Sequence, residues 1–211
     1  MVLGNTGAHG SILTSNATGK GDISFASTID ADGIGTQYLT VSAADNALFG
    51  DNSDTGSIGF NNALAILTVT ANTNSTGLGK IRLNSEVVNT NSVLFGAGSG
   101  NQFFNSAVVL GNTVGSTLTS TGLGTIDFAS TIDAAALGTQ TLTVNAAEDA
   151  IFDGNIGAIS PGTALGALTV TAGGKINLNS AIVKTNKAGA GTTGNQLFLS
   201  LIHISEPTRP Y

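Results

Sequence analysis

The sequence predicts an all-β fold, a parallel β-helix in which short strands stack coil upon coil, and three observations point to it. The 211 residues are mostly small, polar or β-branched, with 29 Gly, 28 Thr, 20 Asn and 19 Ser. Apolar and small polar residues alternate in short runs, which is the period of a strand with one buried face. The chain also repeats itself at long range. Only 9% of residues are charged, too few for a helical bundle, and 41% are hydrophobic, too many for a disordered chain.

The long repeat has a period of 103 residues. Residues 23–49 read ISFASTIDADGIGTQYLTVSAADNALF and residues 126–152 read IDFASTIDAAALGTQTLTVNAAEDAIF, with 18 of 27 positions identical. Shorter matches join 2–6 with 109–113, 67–71 with 168–172, 79–85 with 174–180, and 101–102 with 195–196. We therefore divide the chain into a first unit over 1–113, of about four coils, and a second, incomplete unit over 114–198.

Each unit contains a shorter repeat of alternating runs about every 26 residues, separated by Gly, Asn and Asp turns. A coil of that size cannot bury its apolar face alone, so we expect eight coils stacked at the strand spacing of roughly 4.8 Å around one core. The phenylalanines recur as stacked core positions would: Phe25 with Phe128, Phe49 with Phe152, and Phe104 with Phe198. We expect a right-handed β-helix. The alternative is a pair of immunoglobulin-like β-sandwich domains, since the period is also the size of such a domain, but the shorter repeat and the absence of Trp favour the β-helix.

The charge pattern excludes several classes of function. The net charge is −6, and the seven basic residues are scattered: Lys20, Lys80, Arg82, Lys175, Lys184, Lys187 and Arg209. They form no stripe that could neutralise phosphates, so we expect no nucleic-acid partner. No apolar run reaches the roughly 18 residues of a membrane-spanning helix, so we expect no membrane insertion of this segment. The absence of Cys excludes a thiol nucleophile, a disulfide and a Cys-based metal site.

Carboxylates are the best candidates for catalysis, because paired acids can cleave glycosidic bonds and groups of acids can bind Ca²⁺. Asp30 recurs as Asp133, each after Phe-Ala-Ser-Thr-Ile, and Asp45 recurs as Glu148 beside Asp149. Recurrence in both copies is typical of a repeated turn, whereas an active site normally occurs once. We interpret these acids as solvated strand ends and predict no catalytic, cofactor-binding or metal-binding residues.

The remaining motifs are also interpreted as structural. His9 lies in a turn-like Gly-Ala-His-Gly context, without the nucleophile and orienting group that a catalytic triad needs. The glycine clusters at 96–100 and 122–124 do not match a phosphate-binding loop. Asn84 and Asn179, and the Asn-Gln pairs at 101–102 and 195–196, are interpreted as turn residues, since Asn tolerates left-handed backbone angles.

Four segments carry a resemblance to a known family: GTIDFASTID, QTLTVNAAEDAIFDGNIG, LGALTVTAGGKINLNSAIVKT and NQFFNSAVVLGNTVGSTLTSTGLG. They resemble the long repeats of filamentous-haemagglutinin-like adhesins and related autotransporter passengers of bacteria. The resemblance covers about residues 1–198. It identifies the style of repeat but does not indicate a ligand. It implies a right-handed β-helical shaft, secreted to the bacterial cell surface, that serves in adhesion or as a spacer. No signal peptide is visible, so we expect a piece from the middle of a longer protein.

Residues 199–211 depart from the repeat. After NQLF at 195–198 the repeat predicts NSAVVLG, as at 105–111, but the chain reads LSLIHISEPTRPY. This stretch resembles the translated sequencing-adapter tail found at the ends of some metagenomic proteins. We interpret it as non-native and exclude it from the predicted fold.

The leading functional hypothesis is a non-enzymatic shaft or adhesive segment, whose partners are host or environmental glycans or copies of itself. Short Thr, Asn and Ser side chains suit weak, multivalent contact. The alternative is a polysaccharide lyase or hydrolase on a β-helix scaffold. An ice-binding solenoid would need a flat Thr-x-Thr array. Thr68 and Thr70 give one such pair, but Thr40 and Thr143 are predicted to be single, so the array is too patchy.

Overall fold

The computed structural model describes residues 1–4, 10–16, 21–50, 56–74, 79–92, 100–158, 163–188 and 193–200. Within these ranges every regular element is a strand and every strand pair is parallel, which confirms an all-β parallel solenoid. The strands are β1 Val2–Leu3, β2 Gly10–Thr14, β3 Ile23–Phe25, β4 Asp30–Ala31, β5 Tyr38–Ser42, β6 Ala47–Phe49, β7 Ile66–Thr70, β8 Ile81–Leu83, β9 Val87–Thr90, β10 Gln102–Phe104, β11 Val108–Leu110, β12 Ser116–Ser120, β13 Ile126–Phe128, β14 Ile132–Ala134, β15 Thr141–Ala146, β16 Ala150–Phe152, β17 Ala167–Ala172, β18 Ile176–Leu178 and β19 Gln196–Ser200.

Three parallel sheets form the sides of the solenoid. Sheet I contains β2, β5, β7, β10, β13, β16 and β18; sheet II contains β3, β6, β8, β11 and β14; sheet III contains β9, β12, β15, β17 and β19. Isolated bridges extend two of them: Ile132 to Ile156 to Val183 continues sheet II, and Ile29 to Ile58 to Val88 links the short β1–β4 pair to sheet III. The chain visits sheets I, II and III in turn, so one circuit is one coil.

The coils are longer and more variable than the sequence predicts. Paired residues are 28 positions apart between Tyr38 and Ile66, 24 apart between Gln102 and Ile126, and 35 apart between Leu67 and Gln102. The solenoid therefore has about six turns, and the expected eight coils are wrong, because loops at the corners lengthen several coils beyond 26 residues. The β-sandwich alternative is also wrong, since a sandwich is built from antiparallel strands.

The core lies inside the solenoid and is assembled in columns. Along β5, Leu39 and Val41 are buried while the residues between and beside them are half-exposed. The parallel register stacks Leu39 on Leu67 and Val41 on Val69 in the next coil. All four side chains are completely buried. Each such aliphatic side chain contributes about 1.5–3 kcal/mol to folding through burial.

Phenylalanines fill two of these columns. Phe25 stacks on Phe49 with ring centroids 5.2 Å apart, and Phe128 lies between Phe104 at 4.9 Å and Phe152 at 5.4 Å. These separations fall in the range of favourable aromatic pairs. All five are core residues, as the sequence predicts, and each stacks on the coil next to its own.

Matching strands of the two sequence copies lie on different faces of the solenoid. Leu39-Thr40-Val41 lies in sheet I, whereas the matching Leu142-Thr143-Val144 lies in sheet III. Likewise β6 lies in sheet II and its match, β16, lies in sheet I. One copy therefore spans eleven strand positions, or about three and two-thirds turns. The shift is by whole strands, so the inward residues stay inward: Val41 and Val144 are both completely buried.

A buried glutamine braces the corner between sheets I and III. Gln102 points inward from β10 and is completely buried. Its Nε2 donates to the carbonyl oxygens of Val88 (3.1 Å) and Thr119 (2.9 Å) and to the Thr90 hydroxyl (3.2 Å). Gln196 repeats the arrangement: its Nε2 donates to the Val183 carbonyl and the Thr185 hydroxyl, which match those of Val88 and Thr90. Both glutamines lie in strands, so their interpretation as turn residues is wrong.

The core is continuous across the predicted boundary between the two units, which falls in the loop between β11 and β12. At the other end, Leu199 and Ser200 continue β19 and pair with Thr171 and Ala172. The first two residues of the stretch interpreted as non-native therefore extend a strand. Residues 201–211 lie outside the described part of the chain.

We expect Phe128→Ala to reduce the free energy of unfolding by about 3–5 kcal/mol, the usual cost of truncating a buried Phe. The matched control is Phe103→Ala, one strand away in the sheet, where the ring faces outward and is half-buried. It should cost far less. Urea unfolding followed by circular dichroism measures both, and equal costs would mean that the inward and outward faces of sheet I are exchanged.

Candidate functional site

The repeated carboxylate at Asp30 is buried and hydrogen-bonded, not solvated as the sequence suggested. Its side chain is only 8% exposed. Oδ1 accepts hydrogen bonds from the backbone N–H groups of Asn61 (2.9 Å) and Asn62 (3.4 Å), and Oδ2 accepts one from the Asn61 amide (2.9 Å). The reason is that residues 59–63 fold across β4 and deliver these donors. Asp30 therefore fastens a loop to a strand.

The matching Asp133 is also buried, 3% exposed in the middle of β14, so the solvated interpretation is wrong there too. Among the described residues its Oδ1 has no hydrogen-bond partner. Asp133 lies one sequence copy after Asp30, about three and two-thirds turns along the solenoid, which at the strand spacing is roughly 18 Å. The two recurring acids therefore cannot act as one catalytic pair.

The residue that follows the second recurring acid, Asp45 or Glu148, caps a turn. Oδ1 of Asp149 accepts a hydrogen bond from the backbone N–H of Lys175 (2.6 Å), one coil along. Asn46, at the matching place in the first copy, accepts from the backbone N–H of Lys80 (3.1 Å) in the same way. Glu148 is exposed and Asp45 is half-buried. Among the described residues, no three His, Cys, Asp or Glu side chains form a group that could hold a metal ion.

Two carboxyl groups have shifted pKa values, in opposite directions. Burial by itself raises the pKa of Asp30, but the hydrogen bonds from Asn61 and Asn62 and the nearby amino terminus outweigh it and hold that pKa below its usual value. Asp127 lies outward in β13, where burial, together with the negative charge of Asp153, raises its pKa. One buried oxygen of Asp127 has no partner among the described residues.

The other predicted motifs have structural positions where the structure describes them. Asn84 is buried and its Nδ2 donates to the Gly50 carbonyl (3.4 Å), and Asn179 donates to Asp153 (2.8 Å). The glycines at 122 and 124 lie in the turn between β12 and β13. His9 and residues 96–99 of the other glycine cluster lie outside the described residues.

A cleft of about 280 Å³ opens beside the corner of sheets I and III, and we call it the Phe60 cleft. It is lined by Ile34, Gly59, Phe60, Asn61, Ala63, Asn89, Thr90, Asn91, Thr119 and Thr121. Two apolar side chains at its mouth are unusually exposed: Phe60 is 62% exposed and Ile34 is 49% exposed. None of the lining side chains is charged. No single sequence motif marks this cleft, because its walls come from four separate segments.

A left-handed glycine builds the floor of the cleft. Gly59 has φ of +67°, and a Cβ at this position would overlap the backbone carbonyl of Asn89. Its N–H donates to Ile29 (2.7 Å), while the N–H of Asn89 donates to Ile58 (2.8 Å). The Asn89 amide then donates to the Gly59 carbonyl (3.2 Å). Three successive coils are thereby tied together directly beneath Phe60.

The second copy repeats this floor with different side chains. Gly157 has φ of +64°, its N–H donates to Ile132 (2.7 Å), and the N–H of Lys184 donates to Ile156 (2.9 Å). At the lining positions that the two copies share, however, Ala158 replaces Phe60 and Lys184 replaces Asn89. The backbone frame is thus common to both copies, and the Phe60 ring and the Asn89 amide are particular to the first. This difference between the copies is the sequence signal that could have located the cleft.

Two polar side chains on the lining of the cleft have no hydrogen-bond partner among the described residues. No hydrogen bond between described residues engages the Asn91 amide or the Thr119 hydroxyl. The Thr121 hydroxyl donates to the Thr90 carbonyl (3.2 Å) and keeps its acceptor capacity. The cleft therefore combines an exposed aromatic ring with neutral donors and acceptors, which suits a ligand having both an apolar face and hydroxyl groups.

Sheet III extends this polar surface over three coils. Thr117 pairs with Thr143 and Thr143 with Thr169, and the parallel column is Thr119, Asn145 and Thr171. These six side chains are half-exposed and point outward. The sequence predicted single outward threonines here, because Thr117 and Thr119 lie in another part of the repeat and only the coil register places them beside Thr143. We call these residues the threonine face.

Comparisons with known proteins add no assignment to this site. No family model matches the chain, no curated protein matches it, and no solved structure matches it. The part of the chain that the structure describes contains no helix long and apolar enough to cross a membrane.

The opposite pKa shifts predict opposite effects of two Asp→Asn substitutions. Asp127→Asn should stabilise the protein at pH 7, by less than about 1 kcal/mol because the side chain is half-exposed. This gain should disappear as the pH falls through the raised pKa of Asp127 towards the value of 3.8 for an unperturbed Asp.

The control is Asp30→Asn, which should lower the free energy of unfolding at pH 7 by about 1–3 kcal/mol through loss of a hydrogen-bonded carboxylate. The stabilisation by Asp30 is present above its unfolded pKa and is lost as the pH falls through the lowered folded pKa, so this deficit should shrink in acid. Urea unfolding between pH 3 and pH 7 measures both, and shifts of the same sign would contradict the assigned environments.

Proposed function

We propose that this chain is a non-enzymatic shaft and adhesive segment of a large secreted bacterial surface protein. The observation that carries the proposal is the continuous solenoid core shared by both sequence copies, with side chains of neighbouring coils stacked throughout. Such a body gains length with every coil and needs no other domain to bury its apolar face. The resemblance of the repeats to adhesin repeats supports the same function and an extracellular, cell-surface location.

The polar exterior supports an adhesive role in addition to a mechanical one. The threonine face presents neutral hydroxyl and amide groups at the strand spacing of roughly 4.8 Å along the shaft. Individual contacts of this kind are weak, but a repeated array binds by multivalency. The partners we propose are host or environmental glycans. No basic patch supports nucleic acid as a partner.

One observation favours the alternative, a polysaccharide lyase or hydrolase. Asp127 and Asp153 interact electrostatically on the outer side of sheet I, and the pKa of Asp127 is raised, as a general acid requires. The matching positions in the first copy are Ser24 and Gly50, so the acid pair occurs in one copy only. This pair replaces the recurring Asp30 and Asp133 as the enzymatic candidate.

We expect no turnover when the protein at stoichiometric concentration is incubated with pectin, alginate, hyaluronan or cellulose oligosaccharides. Reducing ends and the ultraviolet absorbance of unsaturated products measure hydrolysis and elimination separately. The matched pair of variants is Asp127→Ala, and Asp45→Ala as a half-buried acid elsewhere on the shaft. Cleavage that is lost in Asp127→Ala and retained in Asp45→Ala would replace the shaft proposal with the enzymatic alternative.

Copies of this chain are the second proposed partner. The last described coil carries a cleft of about 480 Å³ lined by Lys175, Ile176, Asn177, Leu178, Phe198 and Ser200, against the outer strands of sheets I and III. Leu178 and Leu199 are 42% and 49% exposed there. Within the described part of the chain no strand pairs with the outer edges of β18 and β19, and uncovered edges of this kind pair with other strands.

We therefore expect self-association at micromolar concentration in sedimentation velocity experiments. Leu178→Lys should reduce it by placing a charge on the open edge, whereas Val114→Lys, at an exposed loop position away from that edge, should not. A strictly monomeric parent protein would remove copies of the chain from the proposed partners.

A further inference from the structure

We propose that the Phe60 cleft binds a neutral sugar unit of a glycan, with the carbon–hydrogen face of the sugar stacked on the Phe60 ring. This inference rests on the proposed adhesive function and names its ligand class and its site. The observation that carries it is an exposed aromatic ring that belongs to one copy of a repeat whose backbone frame does not need it.

The fold does not require Phe60. Its ring is 62% exposed, so most of it contributes nothing to the core. In the second copy Ala158 follows the matching left-handed glycine, and the same two backbone hydrogen bonds close the floor. Phe60 and the 49% exposed Ile34 lie together on the lining of one cleft, so they form an apolar patch that a ligand can cover. The ring is therefore available for binding without cost to the fold.

The absence of charge in the cleft selects a neutral ligand. None of its ten lining side chains is ionisable. The nearest acid behind the lining, Asp30, is only 8% exposed and its two oxygens are occupied by three hydrogen bonds from Asn61 and Asn62. A phosphate, a uronate or a basic peptide would find no counter-charge within the cleft. A neutral hexose needs none.

The free polar groups complement the hydroxyl groups of a sugar. The Asn91 amide offers a donor and an acceptor, and so does the Thr119 hydroxyl. Both lie with Phe60 on the lining of one cleft, so the ring can cover an apolar face while the polar groups reach its edge. This combination of an aromatic surface and a few placed polar groups is typical of small-ligand sites.

The size and position of the cleft indicate a subsite for a polymer. Its volume of about 280 Å³ is at the lower limit of the roughly 300–1,000 Å³ of small-molecule pockets, so it accepts about one or two sugar rings. Thr119 is also the first member of one column of the threonine face, followed by Asn145 and Thr171. A longer neutral glycan could thus continue from the cleft along the shaft.

The test uses the whole chain and hexasaccharides of glucose, mannose and galactose as probes, with hexagalacturonate as the charged comparison. Saturation-transfer difference NMR detects binding, and titration gives Kd. We expect at least one neutral hexasaccharide to bind and hexagalacturonate not to bind. Phe60→Ala should raise Kd at least about tenfold, and Asn91→Ala should raise it about threefold or more.

The second copy supplies the matched control. Asn186 occupies the place of Asn91, with the same backbone hydrogen bond, to Leu165 in place of Leu64 (2.7 and 2.8 Å). Asn186→Ala should leave Kd unchanged. Phe60→Ala places at this position the residue that the second copy already has, so circular dichroism and the unfolding midpoint should match those of the parent protein.

Three results would overturn this assignment: no binding of any neutral hexasaccharide, equal affinity of the parent and Phe60→Ala, or equal losses in Asn91→Ala and Asn186→Ala. These results differ from the one that would reject the shaft proposal. That result is the formation of products from a polysaccharide. Binding without products supports both proposals. Products together with Phe60-dependent binding would retain the cleft and reject the non-enzymatic function.

Discussion

The register of the parallel ladder between successive coils is the constraint on which the rest of this structure depends. Each inward residue must lie on an inward residue of the next coil, as Leu39 lies on Leu67 and Phe128 on Phe152. A slip of one residue would exchange core and surface along a whole strand. Strands therefore stay short and regular, and the variation in coil length, from 24 to 35 residues between residues paired within the strands, is confined to corners.

The corners are stabilised by polar groups that the strands cannot satisfy by themselves. Burying an amide or a carboxylate without partners costs several kcal/mol at most sites, and the buried side chains of Gln102 and Asp30 both have such partners. Gln102 joins two coils through backbone carbonyls, and Asp30 receives the loop that carries Phe60. Asp30 thus also positions the exposed Phe60 ring through the loop that it holds.

Local patterns could predict the fold class and the core, because alternation reports directly on which side of a strand is buried. Val41 and Val144 follow from that period, and the five stacked phenylalanines follow from their recurrence in the two copies. The number of coils and the offset between copies could not be predicted, because corner loops of different length carry no periodic signal. The burial of Asp30 and the walls of the Phe60 cleft depend on contacts between segments far apart in sequence, which only the coil register brings together.

The one-face offset between copies changes what a repeat of this kind can present to its surroundings. If each copy spanned a whole number of turns, identical motifs would align along one side of the shaft. Here each copy spans about three and two-thirds turns, so Leu39-Thr40-Val41 and its match face different sides. Three successive copies at this offset return to the starting face after eleven turns. The same sequence can therefore place polar groups on all three sides, while substitutions such as Phe60 for Ala158 give one side a binding cleft that the frame itself does not require.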